Sequence, residues 1–323
     1  MSKHNNETML QALGWKSSFR HARSAQLAEP NRSVHRVTEV QRTGLIVAPS
    51  FDDERTDVPI SGKWFQRSER ERPTVGDWVV LDPTDGTLVE VLPRSSLLTR
   101  LSPSGNGSLQ LIAANVDSAF VVTSCNADFS VPRLERFVSV ILEAGIEPVI
   151  VLTKIDQTPD SDAYLAQLHS AFQTVACCAL NALEPDTVSV LAPWCGAGQT
   201  IALLGSSGVG KSTIVNTLMG GEVQRTQAIR EEDGKGRHTT TYRSAHILPQ
   251  GAVILDSPGM REFQMAESSA GVAELFDDIE ALAEACRFGD CAHNAEPGCA
   301  VQAALALGQL DERRLASYKK LKG

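Results

Sequence analysis

A chain of 323 residues with 42% hydrophobic and 21% charged side chains can bury a sizeable core, about two domains' worth, and lies far from the disordered class. It contains no run of about 18 apolar residues to span a bilayer, and its opening MSKHNNETMLQALGW lacks the apolar segment of an export signal, so no membrane partner and a cytoplasmic location are expected. The net charge of −9 excludes a uniformly basic, nucleic-acid-coating surface and leaves room for local patches only.

The first such patch opens the chain. Residues 1–50 carry Lys3, Lys16, Arg20, Arg23, Arg32, Arg36 and Arg42 against only Glu7, Glu29 and Glu39, and within them residues 1–35 read as a basic, flexible arm, either a solvated tail or an RNA-contacting segment. Over 36–101 short runs rich in Val, Trp, Leu and Ile (RTGLIVAP, GKWFQR, GDWVVLD, GTLVEVLP) alternate with turns, and PTDG at Pro83–Gly86 joins the last two as a hairpin. That pattern predicts a small all-β barrel. It does not separate an OB-fold from an SH3-like barrel, or from a barrel that only packs on its neighbour. SPSGNGSL, from Ser102 to Leu109, reads as a linker.

From Leu111 the rhythm changes. SAFVVTS, EPVIVLTK, TVACCAL, TIALLGS and AVILDSP alternate with helical stretches such as RLERFVSVILEAG, which predicts a parallel sheet with crossover helices over 102–268. Within it, Gly220 to Thr241 is polar, glycine-punctuated and without apolar period, the mark of a functional or mobile loop. Residues 269–323 are helical again, interrupted by a Cys/His cluster.

Three motifs in the α/β region carry chemistry. Gly205, Ser206, Ser207, Gly208, Val209, Gly210, Lys211, Ser212 and Thr213 form a G-x-x-x-x-G-K-S-T loop between an apolar strand and a helix. Its backbone N–H groups would converge on phosphates, Lys211 would reach the β- and γ-phosphates, and the Ser212 hydroxyl would join a Mg²⁺ shell. DSPG, Asp256 to Gly259, has the D-x-x-G form, in which Asp256 holds Mg²⁺ through a water and the Gly259 N–H senses the γ-phosphate. TKID, made of Thr153, Lys154, Ile155 and Asp156, caps the strand PVIVL, where ligands bind in parallel sheets. Asp156 would accept from guanine N1–H and its 2-amino group, the stem of Lys154 would lie over the base, and the backbone at Cys178 and Ala179 would reach guanine O6. Base-reading parts therefore precede the phosphate loop, a circular permutation of the usual GTPase order.

Met260 follows D-x-x-G where a water-orienting glutamine is usual, and a thioether cannot orient water. His238 in GRHTTT offers a substitute, although a lone loop histidine is more often structural, and any of Thr239, Thr240 and Thr241 could reach Mg²⁺, Thr240 being the choice here. Further on, Cys286, Cys291, His293 and Cys299 fall within fourteen positions and suit a closed tetrahedral Zn²⁺ site. The remaining cysteines, Cys125, Cys177, Cys178 and Cys195, read as free thiols.

Taken together, the β-barrel, AANVD at Ala113–Asp117, TKID, GSSGVGKST, GRHTTT, DSPG and the Cys/His cluster resemble the ribosome small-subunit-dependent GTPase A (RsgA) family over about residues 36–320. The resemblance implies an OB-fold, a permuted GTPase domain and a zinc-bearing helical C-terminal domain. It further implies a factor of late small-subunit maturation that binds the subunit and its rRNA as a monomer. Such a factor hydrolyses GTP to GDP slowly alone and faster on the subunit, is released by hydrolysis, and uses His238 as its hydrolytic residue. Thr153, where asparagine is common, and Cys178, where serine is common, depart from the pattern. The rivals are a nucleotide-gated RNA-binding scaffold with incidental turnover and a P-loop ATPase, the latter opposed by Asp156.

Overall fold

The computed structural model describes residues 10–16, 32–41, 43–48, 56–101, 108–220, 243–256 and 269–322. The N-terminal third is antiparallel. Strands β1 (Ser33–Val40), β2 (Gly44–Ala48) and β3 (Thr56–Pro59) lead into a short helix α1 (Gly62–Phe65), then β4 (Trp78–Leu81) and β5 (Leu88–Val91). β1 pairs with both β2 and β4, β2 with β3, and β4 with β5, giving a barrel-like wrap around Val37, Leu45, Val47, Val58, Trp64, Val79 and Leu88. The hairpin expected at PTDG is present: the Asp82 N–H donates to the Thr87 carbonyl at 3.0 Å, and Gly86 takes φ +68°.

Successive strand residues point to opposite faces, so with Val79 and Leu81 inside the wrap, Trp78 and Val80 face outward. Leu10, Leu13 and Trp15 cover them. Leu10 and Leu13 are buried, each contributing roughly 1.5–3 kcal/mol of apolar burial. Residues 10–16 therefore do not behave as a free arm. Lys16 pairs with Asp117, and Arg36, counted in the sequence among the basic charges of that region, is fully buried. The Arg36 charge is therefore not available to a partner. Another departure concerns the end of SPSGNGSL: Leu109 opens β7 (Leu109–Ala114), which pairs antiparallel with β6 (Leu97–Leu101), so the end of the stretch read as a linker belongs to a paired strand.

The parallel part of the main sheet follows the expected strands. β8 (Ser118–Ser124), β9 (Glu147–Thr153), β10 (Ala176–Ala179), β11 (Thr200–Leu204) and β13 (Val253–Asp256) are parallel in the order β10-β9-β8-β11-β13, with β12 (Arg243–Ile247) antiparallel beside β13. Both faces are covered, which is why these strands are apolar throughout rather than alternating. One face (Val121, Ile150, Leu152, Leu204, Leu255) packs under helix α2 (Val131–Glu143) and the C-terminal helices, and the other (Phe120, Val122, Val149, Val151, Leu203, Ile254) lies against Leu191, Ile214 and Leu218. β12 also pairs with β1, Glu39 opposite Ser244, so barrel and α/β sheet form one continuous ladder.

Helices α3 (Ser161–Ala171), α4 (Asp186–Leu191) and α5 (Lys211–Leu218) cross over between strands, and α6 (Ser269–Leu275), α7 (Asp277–Ala283), α8 (Ala300–Ala306) and α9 (Glu312–Lys322) close the described chain. Phe276, Ile279, Val301, Leu315 and Tyr318 join the same core as α2. Arg314 fastens them: its guanidinium donates to Asp278 at 2.7 and 2.8 Å and to the carbonyls of Ala171 and Leu275, both at 2.9 Å. Among the described residues no helix is long and apolar enough to cross a membrane.

Candidate nucleotide site and metal centre

Parallel pairing sends the carboxyl ends of five strands to one edge. Ser124 lies opposite Thr153, Val121 opposite Leu204, Leu152 opposite Ala179, and Ala202 opposite Leu255. The phosphate loop, the TKID loop, the Cys178–Ala179 segment and the backbone of Asp256 thus converge from sequence positions as far apart as 153 and 256.

The phosphate loop is held open by its glycines. Gly205 has φ +136°, and a Cβ there would stand 2.2 Å from the Val122 carbonyl oxygen, so no other residue fits. Gly208 at +80° and Gly210 at +104° continue the turn into α5, which Gly210 caps. Val209 plugs into the core while Ser207, Gly208 and Ser212 are exposed and Ser206, Lys211 and Thr213 half-buried. The Lys211 ammonium donates to the carbonyls of Gly205 and Ser206, lying over the loop it would share with a phosphate. A helix N-terminus with converging N–H groups and a lysine is an anion cradle.

On the other strand Lys154 adopts a left-handed conformation, φ +58°, and starts the single 3-10 turn Ile155–Gln157, which presents Asp156 to solvent. Thr153 is fully buried, and its hydroxyl lies 2.6 Å from the Val209 carbonyl oxygen of the phosphate loop. Burial, reinforced by the Asp156 carboxylate, pushes the Cys125 thiol up. Cys178 is neutral. Burial, and next the neighbouring Cys177, push its thiol up to about 12, and its sulfur turns to the Ile150 carbonyl, leaving only the backbone to face a base.

His238, Thr239, Thr240, Thr241, Gly259 and Met260 lie outside the described residues, and Asp256 is described in its backbone alone. The Ser212 side chain is exposed at the start of α5, and the backbone of Asp256 ends β13, the strand beside the one that leads into the phosphate loop.

The Cys/His cluster is assembled as its spacing predicts. The ligand atoms of Cys286, Cys291, His293 and Cys299 all lie within 4.8 Å of one another. Cys286 and Cys299 sulfurs are 3.8 Å apart, and each is 3.6 Å from His293 Nδ1. A tetrahedral zinc with ordinary Zn–S and Zn–N bonds has ligand edges of ~3.8 and ~3.6 Å, so the residues fit the ion. Supporting contacts are present. The Gln302 side chain and the Lys319 ammonium each reach the His293 carbonyl at 2.6 Å, and the Gln302 N–H donates to the Cys299 sulfur at 3.4 Å. Desolvation raises Cys286, but the N–H groups of Val301 and Ala300 outweigh it and favour the thiolate, whereas burial and the adjoining thiols drive Cys291 up to about 11. A divalent cation relieves that conflict.

Three residues to which the sequence reading gave no structural role organise the sheet's opposite edge. Arg36, drawn down to about 10 by burial against the opposing carboxylates of Asp117 and Asp77, remains charged and donates to Thr200 Oγ1 at 3.0 Å and to the Leu13 carbonyl. Asn115, left-handed at φ +55°, accepts from the Ser95 N–H at 2.9 Å and donates to the Gly76 carbonyl at 3.0 Å. Asp117 accepts from the Thr200 N–H at 2.9 Å. The last two explain AANVD as a clamp between barrel and α/β sheet; β1 is SVHRVTEV, a mixed strand in which nothing sets Arg36 apart from its polar neighbours.

Residues 91–266 match the family model described as RsgA GTPase. A Vibrio vulnificus protein named small ribosomal subunit biogenesis GTPase RsgA 2 is 46% identical, over 97% of this chain and 86% of its own length. Among solved structures, YjeQ from Thermotoga maritima superposes with a TM-score of 0.67 at 23% identity, covering 90% of this chain and 97% of its own. YloQ, described as a circularly permuted GTPase, gives 0.63 at 24%, covering 91% and 94%. These two likenesses concern the fold, and the permuted strand order derived above agrees with them.

Proposed function

The chain belongs to the RsgA GTPase family, and from that premise we propose that it binds GTP at the carboxyl edge of its parallel sheet and hydrolyses it to GDP and phosphate during maturation of the small ribosomal subunit. The observation that carries this reading is the meeting of Asp156 and the phosphate loop at one sheet edge, joined through Thr153. In this reading Gly205–Thr213 holds the phosphates, Lys211 and the Gly259 N–H attend the γ-phosphate, and Ser212, Thr240 and Asp256 hold Mg²⁺. Thr153–Asp156 with Cys178 and Ala179 read guanine, and His238 orients the attacking water. Cys286, Cys291, His293 and Cys299 hold one structural Zn²⁺, which supplies folding free energy and leaves no open position for chemistry.

The partner is the small subunit, and rRNA is the part of it this surface suits. On the barrel, Lys63, Phe65, Arg67 and Arg70 are exposed, Phe65 by 50%. Three nearby acids are each engaged in a local hydrogen bond: Glu69 accepts from the Leu109 N–H at 2.6 Å, Glu71 from the Ser68 hydroxyl at 2.6 Å, and Asp85, close to Lys63, from the Thr87 N–H at 2.9 Å. Cations interleaved with an exposed ring fit phosphates and an unstacked base. The proposed functional division is residues 1–35, of which 10–16 pack on the barrel and 33–35 open β1, a barrel over 36–101, a GTPase unit over 102–268 whose first strand β7 pairs back with β6, and a zinc-bearing helical unit over 269–323, acting as a cytoplasmic monomer.

Co-sedimentation tests the assignment. Small subunits should retain the protein more tightly with a non-hydrolysable GTP analogue than with GDP, and linkage then requires subunits to raise affinity for the analogue by the same factor. Retention indifferent to the nucleotide would overturn coupled release.

A further inference from the structure

The seam between barrel and parallel sheet is built around a buried cation, and residues 10–16 complete it. Arg36 has no exposed surface, and its guanidinium reaches three parts of the chain: the Leu13 carbonyl, the Gly76 carbonyl at 3.4 Å and Thr200 Oγ1 at 3.0 Å. Gly14, at φ +89°, passes so close that a Cβ there would stand 2.8 Å from Arg36 Nη1, 3.0 Å from Thr200 Oγ1 and 3.2 Å from the Gly198 carbonyl oxygen. Lys16 then pairs with one oxygen of Asp117, whose other oxygen accepts from the Thr200 N–H at 2.9 Å. On the barrel side Leu10, Leu13 and Trp15 cover Trp78, Val80 and Leu92, and the Trp15 ring stands edge-on to Trp78 at 4.9 Å. One short segment thus grips both units. A buried charge is stable only while bonded partners replace its lost water, so removing the Leu13 carbonyl and its cover would open the seam at Arg36. Thr200 opens β11 and Leu204 ends it, directly before Gly205 of the phosphate loop.

We infer that residues 10–16 are a strap that locks barrel to sheet at Arg36, and so presents the barrel's cationic face and the nucleotide edge to one partner at a fixed spacing. The inference rests on the GTP-coupled subunit binding proposed above. A partner that touches Lys63, Arg67 and Arg70 on the barrel and the nucleotide edge at once gains fully from both only if their spacing is fixed, because freedom between the two units costs affinity. With GDP bound the second contact is weaker, and the same freedom matters less. Loosening the strap therefore lowers affinity selectively in the GTP state, whereas an arm that only contacts phosphates would weaken both states alike.

The test compares the full chain as wild type, Gly14→Val and Leu13→Ser. Neither substitution alters charge, and neither residue lies in a nucleotide motif. Valine does not fit at position 14 beside Arg36, and serine at 13 removes an apolar anchor on the barrel. Each unseats the strap by its own route, so Leu13→Ser carries the test if Gly14→Val does not fold. Amide hydrogen exchange should rise about tenfold or more in peptides covering 33–37 and 198–201 as well as 10–16, while 205–213 exchanges as in wild type. Affinity for a non-hydrolysable GTP analogue should stay within about twofold of wild type, whereas the preference of small-subunit binding for the analogue over GDP should fall about fivefold, at an unchanged salt slope. Exchange that rises only in 10–16 and 78–80 would overturn the inference, because the segment then covers the barrel alone. So would an unaltered preference, or an equal loss of subunit binding with analogue and GDP, which makes the segment a direct partner contact. Wild type without any preference for the analogue would instead sink the functional reading, and the exchange pattern alone would then decide whether the strap locks the seam.

Discussion

The Cys/His cluster and the proposed nucleotide site are built on opposite plans. Four ligands within fourteen residues form the first, on a loop that only has to fold back on itself and on the start of α8. The second draws on strand ends spread from Thr153 to Asp256, and nothing local would bring them together without the sheet. A local site depends on its ion, because a loop of that length has little apolar surface of its own; a distributed site depends on the sheet core and on tethers between loops. The difference predicts which substitutions break structure and which change only binding.

The largest effect should come from the local site. Cys299→Ala should remove the bound zinc, measured as metal per chain, and open the 286–299 loop to proteolysis while GTP binding survives within a few-fold. Structural zinc contributes ~10–16 kcal/mol of apparent binding energy in small zinc peptides, so the loop should not fold without it. If GTP binding vanished together with the zinc, the two sites would not be independent. Next comes His238→Ala, which should depress subunit-stimulated hydrolysis by ~100-fold with nucleotide affinity little changed. Unchanged turnover would return that histidine to a structural role.

Asp156→Asn should redirect rather than abolish binding. Xanthine carries an oxygen where guanine has its 2-amino group, and the asparagine amide supplies the matching donor. Preference should therefore move from GTP to xanthosine triphosphate in competition binding, with zinc content unaltered, and a variant that still prefers GTP would refute the base-reading role. The smallest effect belongs to the barrel. Arg67→Ala should weaken subunit binding only a few-fold and lower the salt slope by ~1, as losing one phosphate contact does. A steeper loss would mean that Arg67 makes more than one such contact.

Motif-bearing residues were legible because their spacing encodes their chemistry. G-x-x-x-x-G-K-S-T needs glycines at the positions that adopt positive φ, and Cys-x4-Cys-x-His-x5-Cys needs no partner outside itself. The order TKID before the phosphate loop was enough to infer the permutation, since strand ends define a site whichever way the chain visits them. What local pattern could not carry is long-range pairing. Arg36 reads as one more cation of a basic stretch, yet it is buried against Thr200, 164 residues away. Leu10, Leu13 and Trp15 gave too short an apolar run to separate from a disordered tail, and their partner Trp78 lies in a barrel strand. Thr153 looked like a departure from pattern until Val209 appeared beside it.

The central claim is that this permuted site is a GTPase whose turnover belongs to the small ribosomal subunit. The most direct measurement is phosphate release from GTP by the purified protein, alone and with stoichiometric small subunits, with large subunits as control. Turnover should be slow alone, rise by at least ~100-fold with small subunits, and stay slow with large ones, because ordering a hydrolytic group over bound GTP is worth a factor of that size. Equal rates in all three mixtures would contradict the account and favour a nucleotide-gated scaffold whose hydrolysis is incidental.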